Sequence, residues 1–348
     1  MDFLIFDQVV LNHAISLVDQ IPEWINVCDA AANEGSVAYI KKAFYRLYRK
    51  ITKRQLFRKS AADFVKDKAY DFAFSYGEWM SPEFVATKVK AKKKAIWIHT
   101  DIDKSPFVDE RILFRYDQNY QYYIFASERS RQSAIKKYPL IGERSYVIHN
   151  MCDDTGIRLQ SGDPLPEHIS MRSPVLVTVA NIRPEKNHIR QVEAMHLLNQ
   201  QGINFTWINV GCASHSLIFK KLKKLIKQYD LEKYFLLVGA DSNPYKYMSH
   251  ADAVAVLSDY ESWSMVITEA KLLGIPVIAT KTSGALEQIE DKVNGVLTEF
   301  DAEHIAENIK NFLGDKKLQC TIKSNLQDFT TKTQTMQEFE VLLLGADK

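Results

Sequence analysis

Short apolar runs alternate along this chain with longer segments in which apolar residues recur at helical spacing. The clearest runs are 70–75, 95–98, 122–127, 146–150, 175–180, 205–211, 235–239, 253–257 and 277–279, of which 95–98 follows three lysines at 92–94. Helical patterns follow at 82–90, 128–138, 188–201, 214–229, 302–313 and 332–344. Strands that alternate with helices are typical of βαβ units. The pattern therefore predicts an α/β fold with doubly wound parallel sheets, in which ligands bind at the carboxyl ends of the strands.

The length of 348 residues predicts two domains, each large enough for its own core. A linker is expected at 159–173, where Ser161-Gly-Asp-Pro-Leu-Pro forms a cluster of helix and strand breakers. We therefore predict Rossmann-like domains at 1–160 and 174–330. A composition of 46% apolar and 25% charged residues excludes disordered and fibrous classes of protein.

The most informative stretch runs from Asp259 to Gly295. Glu261 lies in the loop after an apolar run, and Glu269 lies eight residues later within a helical pattern. At a rise of 1.5 Å per residue, that spacing is roughly 12 Å, about the length of a nucleotide sugar from hexose to ribose. A Gly-x-Pro-Val strand follows at 274–277, and then the turn Ser283-Gly284-Ala-Leu-Glu287.

Together these motifs resemble the signature of retaining, family-4 (group 1) glycosyltransferases of the GT-B fold. The resemblance is close over 174–314, fair over 70–150 and poor before that. It implies two Rossmann-like domains that face a cleft, with a terminal helix at 331–348 that crosses back to the first domain. Nothing in residues 1–27 matches the Gly-rich first β-α unit of the family, so the N-terminal domain is expected to lack this unit.

The resemblance also implies roles for individual residues. Glu261 is expected to face the donor sugar as a catalytic residue, and Glu269 to bind the ribose hydroxyls. Lys186 matches the family lysine that contacts the diphosphate. Asn181 stands where the family has an arginine, and Arg183 is the nearby candidate to replace that arginine.

Further donor-binding candidates are the residues near the start of the helix that carries Glu269 and those in the following turn. Their backbone N–H groups can bind a diphosphate, with the helix dipole behind them. A base pocket is expected at 239–245, where Asp241 and Asn243 are the polar candidates. The donor-binding candidates of these two regions are Ser262, Trp263, Ser264, Met265, Val266, Ser283 and Gly284, and Asp241 is the candidate from the base pocket.

From the first domain, the resemblance implies that His99 points its imidazole at the donor sugar across the cleft. A hydrogen-bonded structural histidine is the alternative. Asp101-Ile-Asp103 spells the manganese-binding triplet of a different glycosyltransferase fold, but it lacks the mixed-sheet context of that fold. We expect no metal and no other cofactor.

The charge distribution is asymmetric. Residues 1–150 contain 24 basic and 18 acidic side chains, whereas the remainder contains 21 and 25. Residues 41–59 contain nine basic side chains and no acidic one, with Phe44, Leu47, Tyr48 and Ile51 at roughly helical spacing. This segment predicts either binding to an anionic membrane surface or a helix packed on the first domain with a solvated basic face. A single basic helix without a recognisable nucleic-acid fold argues against nucleic acid as a partner.

The amino terminus lacks a basic region, and no run of eighteen apolar residues occurs, so we predict a cytoplasmic protein, peripheral at most on the inner membrane face. The four cysteines lie far apart in the sequence. This spacing predicts reduced, mostly buried thiols and neither a zinc site nor a disulfide framework.

The resemblance implies transfer of a hexosyl or N-acetylhexosaminyl group from a nucleotide sugar, a UDP-sugar, with retention. The implied acceptor is a growing surface polysaccharide or a glycan on a polyprenyl lipid carrier. Two alternatives remain open: a nucleotide-sugar 2-epimerase of GT-B architecture, and a non-catalytic remnant that binds nucleotide sugars. Tight binding of a UDP-sugar with neither transfer nor epimerisation would favour the remnant.

Overall fold

The structure is a computed structural model that describes residues 1–5, 23, 25–29, 59–77, 82–100, 102, 110–167, 169, 172–213 and 216–345. The basic segment 41–59, apart from Lys59, lies outside these residues. Asp101 and Asp103 of the acidic triplet also lie outside them.

The predicted alternation of strands and helices is confirmed. The strands are β1 (Asp2–Ile5), β2 (Asn26–Asp29), β3 (Ala69–Tyr76), β4 (Lys90–Ile98), β5 (Tyr122–Phe125), β6 (Ser145–Val147), β7 (Val175–Val179), β8 (Thr206–Val210), β9 (Phe235–Gly239), β10 (Ala253–Val256), β11 (Val277–Thr280) and β12 (Val296–Thr298). The helices are α1 (Lys59–Val65), α2 (Glu83–Lys88), α3 (Glu110–Leu113), α4 (Glu128–Lys137), α5 (Asp154–Gln160), α6 (His188–Gln200), α7 (Ser216–Gln228), α8 (Tyr245–Met248), α9 (Met265–Leu272), α10 (Ser283–Gln288), α11 (Ala302–Gly314), α12 (Lys316–Asn325) and α13 (Lys332–Gly345).

The described strands form three sheets. The largest has six parallel strands in the order β12-β11-β10-β7-β8-β9. A second sheet has the order β3-β4-β5-β6, in which β4 pairs in parallel with both β3 and β5. Strand β1 pairs in parallel with β2 as a separate two-stranded sheet. The α/β fold with parallel sheets is as predicted.

Contacts between residues divide the chain into two compact units. Unit 1 consists of residues 1–125 and 133–146, and unit 2 consists of residues 126–132 and 147–348. The first turn of α4 and the segment after β6 therefore belong to unit 2. The domain bounds of 1–160, 174–330 and 331–348 stay a prediction from the sequence.

The sheet of unit 2 is buried on both faces, which explains the continuous apolar runs of its strands. Successive side chains of a strand point to opposite faces. Leu176 of β7 packs with Trp207 and with residues of α6, α7 and α11. Its neighbour Val177 packs on the other face with Ile267 of α9. Helix layers on both faces leave the carboxyl edge of the sheet to the loops after β7, β10 and β11.

Unit 1 has its own core on the four-stranded sheet. Ile96 and Ile98 of β4 and Tyr123 and Phe125 of β5 are completely buried and pack against residues of α2, α3 and α4. Tyr120 lies two residues before β5, and its buried hydroxyl donates a hydrogen bond of 2.5 Å to the Pro82 carbonyl. This bond connects the segment before β5 with the start of α2.

All four cysteines are free thiols, as predicted, but the expectation that most are buried is wrong. Only Cys152 is buried, whereas Cys28 and Cys212 are partly exposed and Cys320 is exposed. Cys320 lies on α12, whose buried residues are Gln319 and Ile322. Within the described ranges, every helix is too short or too polar to cross a lipid bilayer.

Candidate functional site

Lys186 and Glu261 meet at the carboxyl edge of the six-stranded sheet. Lys186 ends a short turn in the loop after β7, and Glu261 lies in the loop after β10. Because β7 and β10 are parallel neighbours, their exit loops lie side by side. The Lys186 ammonium forms an ion pair with the Glu261 carboxylate, which also accepts a hydrogen bond of 2.9 Å from Ser258 Oγ.

The ion pair is mostly shielded from solvent. The Lys186 side chain is 27% exposed and that of Glu261 16%. The backbone N–H of Asp259 donates to the Glu185 carbonyl at 2.8 Å, and Arg190 pairs with the Asp259 carboxylate at 3.1 Å. The two loops are therefore held together by backbone and side-chain contacts, and their opposite charges are matched.

Helix α10 holds the loop that carries Glu261. The N–H of Gly284 donates to the Glu261 carbonyl at 2.8 Å. A Cβ atom at position 284 would lie 2.7 Å from the Ser262 carbonyl oxygen, so the close approach of these two segments requires glycine.

The amide of Gln288, also on α10, binds the buried Ser264 from both sides. It accepts a hydrogen bond of 2.9 Å from the Ser264 N–H and donates one of 3.0 Å to the Ser264 carbonyl. The N–H groups of Gly284 and Ser264, two of the expected donors for a diphosphate, are thus engaged within the protein. By contrast, α9 begins with no hydrogen bond from a capping side chain, so the N–H groups of Met265 and Val266 keep their capacity to bind an anion.

Glu269 lies one turn inside α9 in a different environment. Its carboxylate accepts a hydrogen bond from the Tyr245 hydroxyl at 3.4 Å, a long distance for such a bond. Burial raises the pKa of Glu269, and the hydrogen bond from Tyr245 only partly opposes this. The neighbouring Cys152 thiol has a pKa raised to about 12, by burial first and then by the negative charges of Glu269 and Asp154. Glu269 is therefore a partly buried acid whose charge has little compensation.

The predicted base pocket at 239–245 is a tightly bonded turn. Asp241 accepts hydrogen bonds from Lys246 Nζ at 2.9 Å and from the Tyr247 hydroxyl at 3.0 Å. Burial would raise the pKa of Asp241, but these bonds and the one from the Asn243 N–H lower it. Asn243 donates to the Gln160 carbonyl at 2.8 Å. A role for Asp241 in binding the base stays a prediction.

Asn181 and Arg183 lie in the loop after β7, near Lys186. Asn181 Oδ1 accepts hydrogen bonds from the N–H and from the thiol of Cys212, both at 3.0 Å, and so connects the exit loops of β7 and β8. Arg183 precedes the turn that carries Lys186, and its side chain is exposed. Ser262 is buried in the Glu261 loop, and Ser283 begins α10 and is half-buried.

His99 belongs to unit 1, where it follows β4. Its ring lies 4.4 Å from the ring of Tyr76 and is stacked at 5.8 Å on Trp97. The imidazole is thus part of a half-buried aromatic cluster at the carboxyl end of the four-stranded sheet. Its role towards a donor sugar stays a prediction.

His149 of unit 2 was not anticipated as a site residue. It lies two residues after β6, and its ring packs against Trp263 of the Glu261 loop, with ring centroids 4.4 Å apart. Both ring nitrogens contact carboxylates, those of Glu287 and Glu338. The position of a histidine at a strand end was the only available signal, because its partners come from distant parts of the sequence.

Across the described ranges, no three His, Cys, Asp or Glu side chains are grouped so that they could hold a metal ion.

Comparison with known proteins connects this geometry with a family. Residues 166–328 match the family model described as "Glycosyl transferases group 1". This match covers β7 to α12 and contains both loops of the Lys186–Glu261 pair. Among curated proteins, the chain is 27% identical over 200 residues to N-acetylgalactosamine-N,N'-diacetylbacillosaminyl-diphospho-undecaprenol 4-alpha-N-acetylgalactosaminyltransferase of Campylobacter jejuni, covering 57% of this chain and 52% of that protein.

The amylovoran biosynthesis glycosyltransferase AmsK of Erwinia amylovora is 31% identical over 140 residues, which is 38% of this chain and 34% of AmsK. The chain thus spans about half or less of the length of these curated relatives. The crystal structure of HepE of Anabaena in complex with UDP and glucose is similar with a TM-score of 0.67 at 22% identity, covering 98% of each chain. The fold is that of the GT-B glycosyltransferases, and the sequence similarity supports the family of group 1 glycosyl transferases for residues 166–328.

Proposed function

We propose that the chain is a retaining glycosyltransferase of family 4 that moves a hexosyl or N-acetylhexosaminyl group from a UDP-sugar to a polysaccharide or a lipid-linked glycan. The name of the Campylobacter relative specifies a sugar transferred to an undecaprenol-linked acceptor, and that of the Erwinia relative specifies amylovoran biosynthesis. The Anabaena neighbour contains UDP and glucose. These three descriptions support the donor and acceptor classes.

The observation that carries the proposal is the ion pair of Lys186 and Glu261 over the carboxyl ends of β7 and β10. Transfer breaks the bond between the anomeric carbon and the diphosphate, and negative charge develops on the departing phosphate. The Lys186 ammonium neutralises this charge, together with the N–H groups at the start of α9. Glu261, released from Lys186 by the diphosphate, then faces the positive anomeric centre.

In the mechanism that we propose, retention results from attack of the acceptor hydroxyl on the same face of the sugar as the departing phosphate. A bond forms between the acceptor oxygen and the anomeric carbon, and the hydroxyl proton passes to the leaving phosphate oxygen. No metal takes part in this proposal, because Lys186 and the backbone N–H groups supply the positive charge that a divalent ion otherwise provides.

Glu269 suits the ribose of the donor. Hydrogen bonds from two hydroxyls would give its buried carboxylate the partners that Tyr245 alone does not provide. Because such bonds favour the ionised acid, the donor should lower the raised pKa of Glu269 when it binds.

Calorimetry with UDP-glucose and UDP-N-acetylglucosamine, in the presence of EDTA, tests the donor site. The wild type should bind one of them, and Lys186→Met should weaken binding by about tenfold or more. Lys310→Met is the matched control, because Lys310 lies in the same unit and its ammonium donates a hydrogen bond to the neutral side chain of Gln201 at 2.9 Å. Equal affinity of the wild type and Lys186→Met would contradict the proposal.

Product analysis then distinguishes the reactions. Incubation with the donor that binds and with lipid-linked or soluble glycan acceptors should give a glycoside whose anomeric configuration is that of the donor, as read by NMR. An epimerised nucleotide sugar without a glycoside would indicate the 2-epimerase. Tight binding with neither product would indicate a non-catalytic protein.

A further inference from the structure

His149 joins the Glu261 loop to two helices of unit 2. Its Nδ1 lies 2.5 Å from Glu338 Oε1 of α13, and its Nε2 lies 3.2 Å from Glu287 Oε1 of α10. The backbone N–H of His149 also donates to the second oxygen of Glu338 at 2.8 Å. The His149 side chain is only 15% exposed, so these contacts are shielded from solvent.

The contacts specify the charge of the ring. An ionised carboxylate accepts hydrogen bonds and cannot donate them, so both contacts favour a ring in which each nitrogen of His149 carries a proton. Burial alone would lower the pKa of His149, but the hydrogen bonds and charges of Glu287 and Glu338 raise it to about 9. The pKa values of both carboxyls are lowered by the same contacts, against the effect of burial. At neutral pH the cluster is therefore an imidazolium between two carboxylates.

Other polar groups complete the cluster. Glu287 accepts hydrogen bonds from the backbone N–H groups of Glu128 and Arg129, at 2.8 and 3.0 Å, in the first turn of α4. The amide of Gln334 donates to Glu338 at 3.0 Å. Glu287 and Glu338 are thus the carboxylates that hold the ring, and each is itself fixed by further hydrogen bonds.

Trp263 is held by the His149 ring more than by polar contacts. The indole Nε1 is buried and has no hydrogen-bond partner. The two rings are inclined by 53°, and a cation against an aromatic ring at this distance is attracted to it. Trp263 lies two residues after Glu261 and two residues before Met265, the first residue of α9.

We propose that His149 is a positioning residue, which fixes Trp263 and thereby holds the loop of Glu261 in the arrangement that glycosyl transfer requires. This inference rests on the proposed function. Loss of the imidazolium would release the indole, while the hydrogen bonds from the Gly284 N–H and the Gln288 side-chain amide would keep the loop folded. The loop would then be displaced slightly, and small displacements of catalytic groups lower rates strongly.

A double-mutant cycle tests this coupling. We expect His149→Gln to lower kcat/KM by roughly tenfold, with most of the loss in kcat. The double variant with Trp263→Leu should be no worse than Trp263→Leu alone, because both changes remove the same contact between a cation and an aromatic ring. His304→Gln is the matched control, since this exposed histidine pairs with Asp301 and should leave kcat/KM unchanged. Additive losses in the double variant would overturn the inference.

Hydrogen exchange of backbone amides tests the inference without a measurement of enzyme activity. In His149→Gln, the backbone amides of residues 258–264 should exchange at least several-fold faster than in the wild type, whereas those of His304→Gln should not change. Unchanged exchange in His149→Gln would overturn the inference, even in a protein that binds nucleotide sugars. Faster exchange in a protein that binds no nucleotide sugar would leave the restraint in place and contradict only the proposed function.

A pH profile adds a readout that a merely structural role would not give. The His149 charge is lost as the pH rises through about 9, so kcat of the wild type should fall there and that of His149→Gln should not. An identical fall in both proteins would show that another group controls the profile and would contradict the role of the His149 charge.

Discussion

The loop at 258–264 and helix α9 carry the two glutamates of one sequence motif. The charge of the glutamate in the loop is compensated by neighbouring groups, whereas the charge of the glutamate in the helix is largely uncompensated. In the loop, Glu261 is paired with Lys186 and receives a hydrogen bond from Ser258. In the helix, Glu269 accepts one long hydrogen bond, from Tyr245, within the described residues, and its partial burial raises its pKa. The next charged residue of α9, Lys271, is buried, and its pKa is lowered to about 8 by that burial.

The two regions differ in whether their charges have hydrogen-bond or ion-pair partners before a ligand binds. The charges of the loop are compensated within the protein, so a ligand has to exchange one partner of the ion pair for its own phosphate. The charge of Glu269 is not compensated, so a ligand with hydroxyl groups adds hydrogen bonds that the protein does not make itself. A residue that destabilises the free protein and gains partners on binding is typical of functional sites.

The largest effect is expected from Glu261→Gln. In the proposed mechanism Glu261 faces the anomeric centre, so loss of its negative charge should lower the rate of transfer by about 10²- to 10³-fold. The affinity for UDP should change by no more than a few-fold, since Lys186 remains. Single-turnover rates and calorimetry with UDP measure the two quantities separately, and Glu299→Gln, from an exposed ion pair with Lys281, is the control. An unchanged transfer rate would show that Glu261 does not face the sugar.

A smaller effect is expected from Glu269→Gln, which should weaken donor binding and stabilise the folded protein. The amide is a poorer partner for two hydroxyls, so donor affinity should fall by roughly tenfold. Removal of a weakly compensated buried charge should raise the free energy of unfolding at pH 7 by about 1 kcal/mol. Calorimetry and denaturant unfolding measure the two changes. A variant that is both weaker in binding and less stable would mean that Glu269 is a structural residue.

The pH dependence of that stability follows from the raised pKa of Glu269. In the unfolded chain the acid ionises near its ordinary pKa of 4.5, and in the folded chain it ionises only at a higher pH. The folded wild type therefore loses stability as the pH rises through this interval. The stability gain of Glu269→Gln should accordingly disappear below about pH 4.5 and be largest at neutral pH.

Much of this difference could not be predicted from the sequence. The apolar runs predicted the strands of unit 2, because strands buried on both faces are continuous in hydrophobicity. The motif around Glu261 and Glu269 indicated a site, since exit loops of neighbouring parallel strands meet. The spacing of residues within the motif does not predict that Glu261 pairs with Lys186, 75 residues earlier. It also does not predict the partial burial of Glu269.

The cluster around His149 shows the same limit more clearly. Its members come from the segment after β6, from the Glu261 loop, from α10 and from α13, and they are brought together only by tertiary packing. The predicted N–H donors at Gly284 and Ser264 illustrate the reverse case. The turn was identified from its residue types, but whether its N–H groups bind a ligand or the protein itself depends on a loop that packs against it.

The smallest effect is expected at Lys271, and it tests whether α9 in general carries uncompensated charge. The Lys271 ammonium donates one hydrogen bond of 2.9 Å to the Gln288 carbonyl and lies 4.4 Å from the Phe329 ring. Lys271→Met keeps most of the packing volume and removes the buried charge, so unfolding at pH 7 should cost about 1 kcal/mol more than in the wild type.

The sign of the pH dependence distinguishes this charge from that of Glu269. Between about 8 and the ordinary value of 10.5, the unfolded wild type binds the proton that the folded protein has released from Lys271. Wild-type stability therefore rises with pH through this interval relative to that of Lys271→Met, and the difference between the two proteins should close above pH 10.5. Denaturant unfolding of both proteins at pH 7 and near pH 10.5, with Lys310→Met as the control, measures it. A Lys271→Met protein that is less stable at pH 7 would show that the contacts with Gln288 and Phe329 outweigh the burial of the charge, and the contrast with the loop would then rest on Glu269 alone.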